Sequence, residues 1–440
     1  MNESKLKSSI LLRMFFIAGL SLALLIPAMF VESLIAERQE RRDSVTREIS
    51  QSWGSSQTLT GPIVSIPFKK FSKDEKENVS TFVEYAHFLP SKLSIRSSLK
   101  PEVRYRGIYE VALYNGEFVF EGEFLPFEFG QMGVAFEHVL WKDAIVTFGI
   151  SDLKGIRDAV NLHWNTVAYP STPGVLTSDA VASGITFKPH LPTPNSPSTF
   201  SLTVNLNGSS EVSFVPVGEV TRVFMEAPWE NPSFLGGFLP VLRDIAPGQF
   251  RADWKVLSLN RNFPQSWVGN RYKLLESSFG TRLFLPVDHY QKTSRTVKYA
   301  LLFIALTFAS LFLSEVIAKA VLHPIQYSLI GLGLVLFYLL LLSLSEHFSF
   351  NLAYASSSVV VIGLNTVYSR WITNSRIATV ILIILTLLYT FLYVTLQLQD
   401  YALLLGTFGL LVTLFLIMYL TPRIDWFSLN SFSTAETQSR

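Results

Sequence analysis

Glu315 is the ionisable residue that most needs explaining. It sits inside an apolar run, 299–318, and a carboxylate within a membrane helix is a functional candidate by default because lipid solvates its charge poorly. Lys319 follows at i+4, the favourable order for a helical ion pair, so an interfacial pair near the helix end is the simpler reading. Glu346 and His347 close a second apolar run, and Asp400 opens the last one. Brought together, they would form a proton- or ligand-responsive cluster, with the imidazole as its switchable member. As ordinary loop groups they would be solvated and would cap helices. Asn365 lies with Ser356, Ser357, Ser358 and Gly363 in the least apolar of the runs. Such small and polar residues let helices approach closely and bridge by hydrogen bonds; the sharper reading is a polar substrate path. Gly331, Gly333, Gly406 and Gly409 offer the same close approach. His323-Pro324 opens another run, where proline suits the first helical turn and the histidine reads as interfacial.

Other chemistries lack support. The chain has no cysteine, which removes disulfides, thiolate metal sites and Cys nucleophiles. Its seven histidines, His87, His138, His163, His190, His289, His323 and His347, show no HxxxH or HxH spacing, so no metal site and no cofactor is expected from local ligands. No G-x-S-x-G, P-loop, HExxH or EF-hand pattern occurs, and the expectation is a protein that is not an enzyme. With 36 Lys and Arg against 34 Asp and Glu, nothing suggests the clustered basic face that nucleic acid needs. Trp229, Trp254 and Trp267 with Arg251, Arg261 and Arg271 would make an aromatic–basic face for glycan or peptide; core packing explains the tryptophans equally well.

The elements that must position these groups are legible from hydropathy. A span needs about 20 mainly apolar residues, and six runs qualify: 10–31, 299–318, 326–345, 352–368, 377–396 and 401–420. The expected architecture is mixed: residues 1–31 form a tail and first transmembrane helix, and 32–52 extend that helix. Residues 53–297 form an all-β, sandwich-like extracytoplasmic domain. A five-helix transmembrane bundle follows at 298–421, and 422–440 are a cytoplasmic tail. Lys5, Lys7, Arg13, Lys319, Arg370, Arg376 and Arg423 fall on one side and set both termini inside. Lys292, Arg295 and Lys298 with Arg38, Arg41 and Arg42 then lie outside, against the rule but beside a long domain where the rule is weak. Pro27 predicts a kink, and no run is interrupted midway. Strands are expected at 59–68, 80–88, 145–150, 221–225, 249–257 and 281–287. Asn115-Gly116 and Asn207-Gly208 predict two-residue hairpin turns, joining 108–114 to 117–120 and 200–206 to 212–217. The Pro- and Ser-rich stretch 169–197 predicts a long surface loop or an internal boundary.

Several stretches resemble the CreD family of bacterial inner-membrane proteins. They are Leu59 to Pro67 (LTGPIVSIP), Asn231 to Pro240 (NPSFLGGFLP) and Phe250 to Trp254 (FRADW), then Pro286-Val287-Asp288, Tyr290 to Thr293, Lys298-Tyr299-Ala300, His323 to Tyr327 (HPIQY) and Ser343 to His347 (SLSEH). The resemblance covers essentially the whole chain. It implies a link to a two-component response, cell-envelope integrity and tolerance to colicins or envelope-active antibiotics. It supplies no enzyme activity, cofactor or catalytic residue. The expected partners are the lipid bilayer and an envelope protein or glycan.

Overall fold

The computed structural model describes residues 10–73, 79–191, 196–285, 289–318, 322–398, 401–420 and 422. It divides into two compact units: Arg42–Pro286, and Met1–Arg41 with Val287–Arg440.

The first unit is β-rich. Its strands are β1 (Gln57–Lys73), β2 (Val79–Phe88), β3 (Lys92–Arg106), β4 (Tyr109–Phe124), β5 (Ile145–Ile150), β6 (Asn161–Trp164), β7 (Val167–Pro170), β8 (Thr172–Pro173), β9 (Gly184–Phe187), β10 (Ser198–Ser209), β11 (Glu211–Val215), β12 (Val220–Ala227), β13 (Pro232–Gly236), β14 (Leu242–Ala246), β15 (Gln249–Leu257), β16 (Ser266–Val268) and β17 (Phe279–Leu283). One sheet runs β13-β17-β11-β1-β5-β9-β8, with β2 beside β1 and β16 beside β2; the other runs β14-β15-β12-β3-β4-β10-β6-β7. Both are mixed, since β1 pairs parallel with β11 and β12 parallel with β3.

The strands follow from a period-two pattern. In β3, Leu93, Ile95 and Leu99 are buried while Lys92, Ser94 and Arg96 are exposed; in β15, Phe250, Ala252, Trp254 and Val256 are buried between exposed Gln249, Arg251 and Lys255. The inner faces interdigitate through aromatic pairs that cross between sheets, including Phe120–Phe148 at 4.7 Å and Trp254–Phe279 at 5.8 Å between ring centroids. The first of these is edge-to-face and the second tilted, and such contacts add to what burial alone contributes.

Both Asn-Gly hairpin expectations are corrected. Asn115-Gly116 lies inside β4 and Asn207-Gly208 inside β10, and the two dipeptides face each other, with Asn207 opposite Asn115. These glycines serve packing. A Cβ on Gly116 would meet the Phe118 ring at 2.5 Å, and one on Gly208 the Tyr114 ring at 2.3 Å. The chain turns instead at Gly107-Ile108, with Gly107 at φ 63, joining β3 to β4, and at Ser210, φ 59, where it leaves β10 and enters the other sheet as β11. The stretch 169–197 is corrected as a boundary too: β7 ends there in one sheet and β8 and β9 join the other, so it crosses over within one compact unit.

The second unit is helical: α1 (Ile10–Ala23), the first part of α2 (Leu25–Trp53), α3 (His289–Lys298), α4 (Ala300–Ala318), α5 (Pro324–Ser345), α6 (Phe350–Ile372), α7 (Ser375–Gln397) and α8 (Ala402–Leu420). The break between α1 and α2 falls just before Pro27, which has no N–H for the Ala23 carbonyl. Among the described residues, four helices (Arg13–Trp53 counted as one, α5, α6 and α7) are long and apolar enough to cross a membrane, and the bent pair α3–α4, at 45°, would add a fifth.

Gly208→Val is expected to destabilise the β-rich unit by about 1–3 kcal/mol through overpacking against Tyr114. Gly130→Ala, where a Cβ meets nothing within 4 Å, should leave the melting temperature nearly unchanged. Thermal unfolding of the two variants checks the difference.

Candidate functional site

The carboxylate of Glu315 is almost completely buried, with 4% of its side chain exposed, and among the described residues it accepts three charge-assisted hydrogen bonds. Oε1 accepts from Arg13 Nη1 at 3.1 Å and from the Leu322 backbone N–H at 3.1 Å; Oε2 accepts from the Tyr327 hydroxyl at 2.7 Å. A buried carboxylate is tolerated when its lone pairs are filled in this way. The partners come from α1, the α4–α5 connection and α5, so one group ties three elements together. Lys319 lies outside the described residues.

The sequence around the site does the positioning. His323 caps α5: its Nδ1 accepts from the Ile325 N–H at 3.3 Å, Gln326 Oε1 accepts from the His323 N–H at 2.8 Å, and Pro324 occupies the first turn. This reciprocal cap fixes the start of α5. Tyr327, one turn in, then reaches Glu315.

A second carboxylate sits at the far end of α5. Glu346 accepts from the Tyr290 hydroxyl of α3 at 3.3 Å and lies 3.7 Å from Arg38 Nε of α2. Arg13 and Arg38 are about 37 Å apart along a helix at 1.5 Å per residue, close to the roughly 33 Å of α5. The N-terminal helix therefore lies along α5 in the same direction and is held at both ends. Between the two ion pairs, Ser21, Leu24, Ala28, Val31 and Ile35 form its buried stripe. Gly331 admits it, since a Cβ there would lie 2.2 Å from the Leu24 side chain and 2.8 Å from the Phe308 ring.

The other expected site residues are placed as follows. His347 is exposed, and Asp400 lies outside the described residues. Asn365 is buried; its amide donates to the Val361 carbonyl at 3.0 Å, and its head occupies the space a Cβ on Gly333 would need. Ser357 and Ser358 are buried about two turns earlier on the same helix. Phe337, Tyr338, Tyr354 and Tyr389 fill the adjoining bundle core, with the Tyr354 hydroxyl donating to the Tyr389 carbonyl at 2.7 Å. Gly409 accommodates the Phe391 ring, whereas a Cβ at Gly363 or Gly406 would meet nothing within 4 Å.

In the β-rich unit the aromatic–basic face does not form. Trp254 and Trp267 are core residues, Arg251 pairs with Glu226, and the buried Arg261 guanidinium is spent on the Phe263 and Val217 carbonyls and the Gln265 side chain. Burial pushes the Arg261 pKa down to about 10. Sequence reading missed a Ser-His-Asp chain: Ser65 Oγ is 2.8 Å from His87 Nδ1, and His87 Nε2 is 3.3 Å from Asp179 Oδ2. The aspartate accepts, so Nε2 carries the proton and Nδ1 accepts from Ser65. This reverses the ring nitrogens of the hydrolase triad, and Ser65 and His87 are 1% and 0% exposed. The chain is a buried tie between cross-strand neighbours on β1 and β2 and the Asp179 loop, with its serine sealed from substrate. Among the open features of this unit is a groove of about 570 Å³ on the outer face of β3, β12 and β15, lined by Arg96, Arg222, Lys255, Glu121, Asp253 and Leu242 among others.

Two outcomes are expected. Removing either Arg13 or Glu315 (Arg13→Met, Glu315→Met) should cost about 2–4 kcal/mol, moderated by the partial exposure of Arg13. The double variant should cost clearly less than the sum, as thermal denaturation of purified protein would show. Burial holds the His87 pKa below its ordinary 6.5 despite the opposing pull of Asp179. The unfolded state then takes up the proton first as pH falls, so the stability of this unit is full above about 6.5 and declines below it. His87→Phe should flatten that decline in a pH series of unfolding curves.

Similarity to known proteins places the chain in a family. The family described as Inner membrane protein CreD matches residues 9–427. The chain is 31% identical over 439 residues to the Inner membrane protein CreD of Escherichia coli (strain K12), covering 97% of this chain and 95% of that protein. With an N-terminal apolar helix, a large mixed-sheet region and a C-terminal set of apolar helices, the chain belongs to the CreD family of inner membrane proteins.

Proposed function

We propose that this protein supports cell-envelope integrity and the envelope stress response, including tolerance to colicins and antibiotics, by binding or scaffolding through its β-rich unit. In this reading the chain crosses the inner membrane six times with both termini cytoplasmic, and the β-rich unit is periplasmic. The absence of Lys and Arg from 346–351 and 397–400, against Arg370 and Arg376 in the opposite connection, supports that orientation.

The observation that carries the reading is where open surface lies. The groove of the β-rich unit is flanked by a run of exposed apolar side chains, Leu239 at 72%, Val241 at 68% and Leu242 at 67%, the kind of patch that marks an interaction site. Within it Arg222 and Lys255 are direct cross-strand neighbours, and Asp253 and Glu121 line the same groove, so it presents charges of both signs to a partner. The carboxylates and the amide of the helical unit are engaged internally: Glu315, Glu346 and Asn365 all have partners within that unit, while the buried Ser357 and Ser369 hydroxyls have none among the described residues. This weighs against a transporter or lipid-handling path, and the sealed Ser65 weighs against an envelope hydrolase.

Photocrosslinkers placed in living cells at Val241, Leu242 and Lys255 should capture one protein or glycan reproducibly, while a crosslinker at Val359 on the exposed face of α6 should not. Leu242→Asp should abolish the capture and the envelope phenotype at unchanged protein level. Capture of lipid alone from every position, with the phenotype intact in Leu242→Asp, would contradict the reading.

A further inference from the structure

The short helix α3 separates its residues sharply. Tyr290, Thr293, Thr296 and Val297 are buried against the bundle. On the opposite side, Lys292, Arg295 and Lys298 follow each other at i, i+3 and i+6, within about 120° of arc, with Cβ atoms of successive cations about 5–6 Å apart. The helix contains no Asp or Glu. Among the described residues none of the three is in an ion pair; Lys292 Nζ lies 5.5 Å over the Phe350 ring. The nearest carboxylate described above, Glu346, is on the buried side of α3, held by Tyr290 and Arg38.

Arg295 and Lys298 lie in the last turn of α3, where the helix dipole favours cations; like charges one turn apart still repel, and an anion from outside the chain would relieve that repulsion. Its position says which kind. α3 meets the apolar helix α4 at a bend of 45°, so its cations flank the start of a span, at the depth where lipid headgroups lie. On the proposed topology this is the outer end of the bundle, where the positive-inside rule gives no reason for three cations.

We propose that the Lys292–Arg295–Lys298 face of α3 binds the headgroup phosphate of an anionic phospholipid, with the buried stripe of α3 seating the helix on the bundle. Basic residues at a membrane surface attract anionic lipid additively, and the attraction weakens with salt. The lipid would fix the angle at which the chain leaves α3 for α4. This site is independent of what the β-rich unit binds.

The test uses the purified full-length chain. In native mass spectrometry with equimolar phosphatidylglycerol and phosphatidylcholine, the wild type should retain phosphatidylglycerol preferentially. Lys292→Gln/Arg295→Gln/Lys298→Gln should lose that preference by roughly tenfold or more. Arg295→Lys should keep it, which separates charge from packing. If the triple variant does not fold, the single variants Arg295→Glu and Lys298→Glu should each lower the preference. Equal retention of both lipids by the wild type, or an unchanged preference in the charge variants, would overturn the proposal. Inorganic phosphate displacing phosphatidylglycerol at millimolar concentration would overturn it as well, by assigning the row to a soluble anion.

Discussion

The helical unit depends on giving one buried carboxylate enough partners. A charge removed from water at Glu315 would be ruinous alone, yet its two oxygens meet a guanidinium, a phenol and a backbone N–H at 2.7–3.1 Å. Each partner is supplied by a different part of the chain, so satisfying the charge requires α1, the α4–α5 connection and α5 to be in place together. The polar node thereby selects one arrangement of helices that are otherwise greasy cylinders. Apolar surface in lipid gives little preference among packings, and small residues and polar groups decide it. Gly331 adds the steric part by accepting Leu24, and Glu346 adds a second electrostatic fix one helix length away.

The residues on which the family resemblance rests are largely the ones that build these two ends. The HPIQY stretch provides a histidine cap, a first-turn proline, the reciprocal glutamine and the tyrosine that reaches Glu315. SLSEH carries the second carboxylate, Glu346, and the stretch at 290–293 contributes its tyrosine partner. In the β-rich unit the distinctive stretches serve the core and the sheets instead: Ile63, Val64 and Ile66 are fully buried in β1, and Trp254 of β15 packs on Phe279 and Phe234.

Several apolar helices and a number of the strands were legible because each is a local pattern. Apolar length marks α5 to α7, and period-two alternation marks β15; β3 alternates as well yet lay outside the expected strands, and β5 is buried on both faces. What escaped was non-local. Arg13 was visible only as a flanking charge, and its partner lies 302 residues away; a lone arginine inside an apolar run was the available signal that an acid must meet it. His87, Ser65 and Asp179 carry no motif because register, and not spacing, unites them. The Asn-Gly dipeptides misled because glycine has two uses. A turn needs its positive φ, whereas at Gly116 and Gly208 the chain needs only its missing Cβ, to make room for Phe118 and Tyr114.

The central claim is that the N-terminal helix lies along α5 with Leu24 against Gly331. Because the chain has no cysteine, disulfide trapping in membranes reads this contact cleanly. Leu24→Cys with Gly331→Cys should crosslink in high yield on mild oxidation. Leu22→Cys, from the exposed side of the same helix, should not crosslink to Gly331→Cys. Equal crosslinking from both positions, or none from Leu24→Cys in a protein that still folds, would contradict the account.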